Sequence, residues 1–342
     1  LSLLGVTNVL SASNPQDVFG DVTSVEELRQ LYRLLSRDVH PDLNSNSADS
    51  NKAFARLTEL YESAVRLFEL GHYTSAPGRA TLTVNGRKVE VIKRFNSCTV
   101  NDLYLVDIDK THSGFLSVVK SPKLNSYGKH EYEILQKFVS ASNLWLSNIP
   151  IPLDSFMHTH AGYQRHAQLL LVPPGYVTLA TVMQSYPQGL NAKDMAWIYR
   201  RLLDVVGFAH SNEIIHGNIT PSNILIGLGD VHEVRLINWQ GAVSPGQKIP
   251  FMDSSYREFY PPEVTAKEKA SYATDLYSLS VCMIKLLGEN LHQERAIKAF
   301  LLSCTFESPR SRPQDSWKLR QEFTDLIEKM WVKREYRPLV LR

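Results

Sequence analysis

The sequence predicts an α+β chain of two unequal modules, a helical hairpin followed by a small sheet that feeds into a larger helical lobe. Three observations carry this. Up to Leu70 the apolar residues recur at helical spacing; from Leu82 the period drops to two; beyond Pro187 the pattern is again mostly helical. The 342 residues are ample for two cores, and 43% apolar with 21% charged residues is a globular composition that excludes disordered and collagen-like chains.

In the first module Val25, Leu28, Leu31, Tyr32 and Leu35 line one helix face, and Ser24 with Glu27 forms a capping box at its start. A second helix over 52–70 carries Phe54, Leu57, Leu60, Tyr61, Ala64, Val65 and Phe68, with Gly71 as its stop. The expected divisions are an extension over 1–14, the helical module over 15–70, a linker over 71–79, the second module over 80–337 and a tail over 338–342.

The second module opens with Leu82 and Val84, an Asn85-Gly86 turn, then Val89 and Val91, the pattern of a hairpin. Strands are expected over 102–108, 115–120 and 168–172, with a helix over 129–139 between the last two. Long helices over 195–209 and 274–287 follow, with short strands over 224–226 and 234–237 between them.

Lys plus Arg (37) nearly balance Asp plus Glu (35), so bulk charge implies neither a nucleic acid nor a membrane partner. The three cysteines, Cys98, Cys282 and Cys304, have no CxxC spacing, which argues for buried thiols in a reducing, cytoplasmic setting and against a zinc site. The amino end lacks the basic flank of a signal peptide, and because the chain begins at Leu1 the natural start is expected outside it. His158, His160 and His166 lie close together without a carboxylate or thiol partner, so no metal is assigned to them. Tyr199-Arg200-Arg201 and the basic tail Lys333, Arg334, Arg337 and Arg342 read as solvated surface.

Directly after the first long helix comes His40-Pro41-Asp42, where the proline stops the helix and presents His40 and Asp42 on a tight turn. Arg29, Arg33 and Arg37, four apart, form a cationic stripe on that helix. Over 15–70 these residues resemble a J domain, the module of DnaJ-type co-chaperones. The resemblance implies that His40, Pro41 and Asp42 stimulate ATP hydrolysis by a DnaK-type chaperone, with Arg29, Arg33 and Arg37 steering the encounter. Asp38 beside the turn departs from the family's basic or neutral habit and would weaken that steering.

In the second module Ser117-Val118-Val119-Lys120 ends a strand, and His130-Glu131-Tyr132-Glu133 lies on the helix that follows. Then come His216-Gly217-Asn218 with Asn223, Asn238-Trp239-Gln240, Pro261-Pro262-Glu263, Asp275 and Arg312. In this order they resemble the motifs of a bilobal protein-kinase-like fold, so the whole chain is read as a J-domain hairpin joined to such a fold. The resemblance implies Lys120, Glu131, Asn223 and Asn238 as nucleotide-binding residues for ATP, with or without magnesium, and Glu133 is an alternative partner for Lys120. It implies Glu263, Asp275 and Arg312 as structural residues.

The departures are chemical. Asn218 stands where the family has its catalytic base, and an amide cannot deprotonate a hydroxyl as a carboxylate can. Asn238 replaces the carboxylate that holds magnesium. No glycine occurs between Phe95 and Leu103, where phosphates need close backbone approach. The expectation is a pseudokinase that binds an unidentified client or senses nucleotide. The alternatives are a residual phosphoryl or nucleotidyl transferase of the same fold and a scaffold that binds no nucleotide.

Overall fold

A computed structural model describes residues 6–19, 25–43, 47–69, 73, 80–142, 144–160, 162–229, 231–331 and 338–341. Ser24 of the expected capping box and the side chain of Glu27, the Gly71 stop, the linker over 71–79 apart from Tyr73, and the basic tail Lys333, Arg334, Arg337 and Arg342 lie outside the described residues. The chain divides into two compact units, Leu1–Thr81 and Leu82–Arg342.

The first unit is helical, with α1 (Val6–Ser11), α2 (Gln16–Phe19), α3 (Val25–Asp38) and α4 (Ala48–Glu69). Leu28 and Leu35 of α3 are buried against Ala53, Leu57, Leu60 and Ala64 of α4, whose spacing places them on one helical face. Tyr32 stacks on Tyr61 with ring centroids 4.2 Å apart, and its hydroxyl lies 3.1 Å from Thr58 Oγ1. At the start of α2, Asn14 and Asp17 exchange side-chain-to-backbone bonds of 3.1 Å each, which gives the free Asp17 N–H of that short helix an acceptor and ties the residue before it in return.

The second unit opens within β1 (Thr81–Val84) and continues with β2 (Arg87–Ser97), β3 (Asn101–Ile108) and β4 (His112–Val119). Helix α5 (Asn125–Ala141) then leads to β5 (Ile151–His160) and β6 (Tyr163–Leu171). The strands form one sheet in the order β1-β2-β3-β4-β6-β5. Because side chains alternate across a sheet, Val89, Val106, Leu116, Val118 and Leu169 share one apolar cluster while Leu103, Phe115 and Leu170 join the main core.

Strand β5 has no counterpart in the sequence reading. Pro152 and Asp154 interrupt its pattern, and the structure tolerates them because β5 is the outer strand, with a register shift between those two residues.

The helical lobe holds α6 (Leu179–Ser185), α7 (Ala192–Ser211), α8 (Pro262–Thr265), α9 (Tyr272–Leu287), α10 (Arg295–Ser303) and α11 (Ser316–Met330). A second small sheet orders β7 (Tyr176–Thr178), β8 (Ile224–Gly227) and β9 (Val234–Leu236). The main core runs through this lobe and up to the inner face of the large sheet, with Trp239, Tyr199 and Phe323 among its fully buried side chains. Tyr199 therefore departs from the expected surface position: its ring lies in the core, and its hydroxyl meets Ser280 Oγ at 3.1 Å. Among the described residues no helix is long and apolar enough to cross a membrane.

Candidate functional site

The inner face of the large sheet, α5 and the turns around β8 and β9 converge on a buried polar cluster. Glu131 of α5 is 1% exposed and accepts a hydrogen bond from Gln240 Nε2 at 2.7 Å, one from the Trp239 backbone N–H at 2.8 Å and a third from Gln168 Nε2. Burial raises its carboxyl from the ordinary 4.5 to about 7, and these three donors oppose the rise without cancelling it.

No lysine enters this arrangement. Lys120 lies just past the end of β4 with its side chain exposed, so the expected contact with Glu131 is not formed. Strand alternation explains the difference. Phe115 and Ser117 face inward, Leu116 and Val118 face the opposite cluster, and Lys120 shares the outward parity. Glu133 is also outside the cluster, exposed and 3.8 Å from Lys129. The inward polar position on β4 is Ser117, whose hydroxyl accepts from Asn101 Nδ2 at 2.6 Å.

Asn238 sits at φ 66°, in the left-handed region that asparagine tolerates better than most residues. Its amide nitrogen donates to Asn223 Oδ1 at 2.8 Å and to Cys98 Sγ at 3.0 Å, while its oxygen accepts from Asn101 at 3.3 Å. Asn223 in turn donates to the Asn218 carbonyl at 2.9 Å, and the Asn218 side-chain oxygen accepts from the Tyr260 hydroxyl. Asn218, Asn223 and Asn238 are thus brought together, joined by neutral hydrogen bonds. Burial pushes the Cys98 thiol up to about 12, so it stays a neutral thiol at physiological pH.

The backbone beneath the cluster is fixed by Asp275. Its two carboxylate oxygens accept the N–H groups of His216 and Gly217 at 2.8 and 2.9 Å, and His210 Nε2 lies 3.0 Å away. Gly217 has φ 69°, so the turn needs the freedom that glycine provides. His216 Nε2 reaches the Ile237 carbonyl at 3.1 Å, and burial holds its imidazole below the usual range, which keeps it neutral. Further off, Arg312 grips Glu263 through two bonds of 2.8 and 3.0 Å, with Thr274 Oγ1 donating to the same carboxylate at 3.0 Å.

A cavity of about 620 Å³ opens beside the strand-to-helix connection after β6. Phe95 and Phe115, with ring centroids 4.7 Å apart, form its apolar wall, Pro173 and Tyr176 lie across from them, and Lys93 and Arg94 stand at the rim. Lys120, Glu131, Asn223 and Asn238 do not line it. The roomy part of the cleft and the amide cluster are therefore separate, with aromatic rings in the first and a closed set of hydrogen bonds in the second.

The charge inventory limits the chemistry. Apart from Glu131, which is bound to amides, the cluster offers neutral oxygen donors, and a hard divalent cation prefers carboxylates. Asn223 and Asn238 are the residues placed to hold such a cation, and both are already bonded to each other. Among the described residues no group of three or more His, Cys, Asp or Glu side chains is arranged around a common metal position. His166 is buried and bonded to Ser155 Oγ at 2.8 Å.

The turn of the first unit is built locally. Pro41–Leu43 forms a 3-10 turn, the Asp42 N–H donates to His40 Nδ1 at 3.2 Å, and the His40 ring meets Phe54 of α4 edge-on at 5.5 Å. Arg29, Arg33 and Arg37 are exposed on α3, with Arg29 Nη1 3.0 Å from Glu26.

Comparison with known proteins gives the family of the second unit. The protein kinase domain model matches residues 130–339. The serine/threonine-protein kinase max-2 of Caenorhabditis elegans is 24% identical over 185 residues, covering 49% of this chain and 28% of that protein. Cyclin-dependent kinase G1 of Arabidopsis thaliana is 24% identical over 273 residues, covering 78% of this chain and 44% of that protein. The chain thus spans less than half the length of either relative. A crystal structure of a kinase domain superposes with a TM-score of 0.55 at 15% identity, covering 73% of this chain and 98% of that one, which shows a bilobal α+β kinase fold.

Proposed function

Because the chain belongs to the protein kinase domain family, we propose that its second unit is a kinase fold converted from phosphoryl transfer to binding, carried by a co-chaperone of the J-domain type. The observation that carries the reading of the cleft is the closed amide chain Asn101–Asn238–Asn223–Asn218, which stands where transfer chemistry needs carboxylates. A neutral amide at Asn218 accepts no proton from a hydroxyl nucleophile, and one at Asn238 gives magnesium little electrostatic hold. On this reading the cleft serves as a scaffold for a client protein.

The co-chaperone reading is supported by the His40-Pro41-Asp42 turn at the end of an arginine-striped helix, held against α4 by Phe54. The test adds the intact chain to a DnaK-type chaperone and measures ATP turnover. A rise that is lost in His40→Gln supports the reading, and no rise with the intact chain overturns it. A thermal-shift titration with ATP, with and without magnesium, tests the cleft separately: a scaffold shows no shift, and a nucleotide sensor shows one.

The relatives favour a second reading, because those matched are serine/threonine kinases. A residual phosphoryl or nucleotidyl transferase would move label from ATP to protein. It would need Lys120 to swing inward from its exposed position at the end of β4, so label transfer that disappears in Lys120→Met would support this reading over the scaffold.

A further inference from the structure

Strand β2 departs from regular alternation where it meets the cleft. Its pairing with β3 shifts register between Val91 and Lys93 and again between Arg94 and Asn96, which leaves Ile92 and Phe95 as inserted residues. Five consecutive residues, 92–96, therefore line the cavity of about 620 Å³, where strict alternation would turn every second one away.

The lining sorts into an apolar interior and a cationic mouth. Phe95, Phe115 and Tyr176 supply three rings, and the Tyr176 hydroxyl is already committed to Glu233, so the tyrosine offers the cavity its ring. Lys93 and Arg94 are exposed at the rim, and among the described residues lining the cavity there is no Asp or Glu to offset them. The connection after β6 is poor in donors: the Val172 N–H is spent on the Ser113 carbonyl at 3.3 Å, and Pro173 and Pro174 have no N–H to give. A ring with acceptor nitrogens would lose its water against this wall without gaining a partner, whereas a hydrocarbon ring has no such bond to lose.

We propose that this cavity is a binding site for an aromatic monocarboxylate, its rings between the phenylalanine wall and Tyr176 and its carboxylate at Lys93 and Arg94. The volume lies within the range of roughly 300 to 1,000 Å³ usual for small-molecule sites. Aromatic walls favour an aromatic guest through edge-on and offset-stacked contacts, and a guanidinium matches a carboxylate with paired N–H donors. The inference rests on the reading that the cleft has given up phosphoryl transfer, and the site needs no metal, since Asn223 and Asn238 do not line it.

Calorimetric titration of the intact chain in magnesium-free buffer tests the proposal. Naphthalene-2-carboxylate is the probe, and 2-naphthylmethanol, which keeps the rings without the charge, is its control. The carboxylate should bind about tenfold more tightly than the alcohol, and Lys93→Gln combined with Arg94→Gln, both at exposed side chains, should remove that difference while leaving the alcohol unchanged. Ala180→Phe, at a half-buried position of α6 in the lining, should fill the space and abolish binding of both compounds, with a retained melting temperature showing that the fold is kept. No binding by wild type, equal affinity for the two compounds, or unchanged binding in Ala180→Phe overturns the proposal and leaves the scaffold reading standing. Displacement of the carboxylate by metal-free ATP overturns both, because the cavity would then be a nucleotide site.

Discussion

Gln240 Nε2 donates to Glu131 Oε2 at 2.7 Å, so the buried glutamate of α5 is held by an amide from the segment that follows β9. Its other partners are a backbone N–H and a second amide, and none carries a positive charge. A carboxylate in this setting loses its hydration without gaining a counter-ion, which is why its pKa rises to about 7.

That rise fixes a pH dependence. Between 4.5, the ordinary value, and about 7 the folded chain holds a proton on Glu131 that the unfolded chain has released. Stability therefore falls as pH rises through this window and levels above it. Glu131→Gln removes the titration, so urea unfolding should show the variant gaining on wild type from pH 5 to pH 8, by about 3 kcal/mol at most. An equal difference at both pH values would contradict this account.

The Glu263–Arg312 pair behaves differently, because both charges are buried and matched. Arg312 also donates to the carbonyl oxygens of Phe306 and Glu307 and lies over the Tyr277 ring at 4.7 Å. Arg312→Met strands a carboxylate in the core and should cost about 3 to 5 kcal/mol in chemical denaturation. Adding Glu263→Gln should return part of that loss, since the remaining group is neutral.

How much of this was legible in the sequence depends on the physical signal at each residue. The Leu82–Val91 hairpin and the α7 and α9 helices were visible because apolar period and turn chemistry agree there. The asparagines at 218, 223 and 238 were visible because their order along the chain is distinctive, and the structure does gather them. Spacing to a motif does not carry strand parity, and Lys120 stands exposed just past the end of β4, away from Glu131. Reading Phe115 and Ser117 as the inward pair would have put Ser117 in the cluster. Asn101, Gln168 and Tyr260 gave no local signal, since their roles arise from pairings between residues 16 to 137 positions apart.

If the arginine stripe of α3 steers a chaperone, its effect is electrostatic and belongs to the encounter. Arg29, Arg33 and Arg37 are exposed, so replacing all three with Gln should leave the fold intact. The concentration of chain needed for half-maximal chaperone stimulation should rise about tenfold at low salt and converge on wild type as salt is added. A loss that is the same at every ionic strength would mean that the arginines act through contacts rather than steering.

Asn238→Asp tests whether the amide chain is what keeps the cleft from holding a metal. In the wild type the Asn238 nitrogen donates to Asn223 Oδ1 and Cys98 Sγ, and a carboxylate would turn an acceptor toward both. Without a metal the variant should lose about 1 to 3 kcal/mol, the cost of breaking buried hydrogen bonds and leaving a charge poorly matched. Magnesium binding to the new carboxylate would restore stability, because a ligand that binds only the folded state raises the melting temperature. The expected result is a melting temperature that falls in chelator and recovers with millimolar magnesium in Asn238→Asp, while wild type is indifferent to both. Recovery would place the barrier to metal binding in charge alone; its absence would place it in the closed geometry around Asn101 and Asn223.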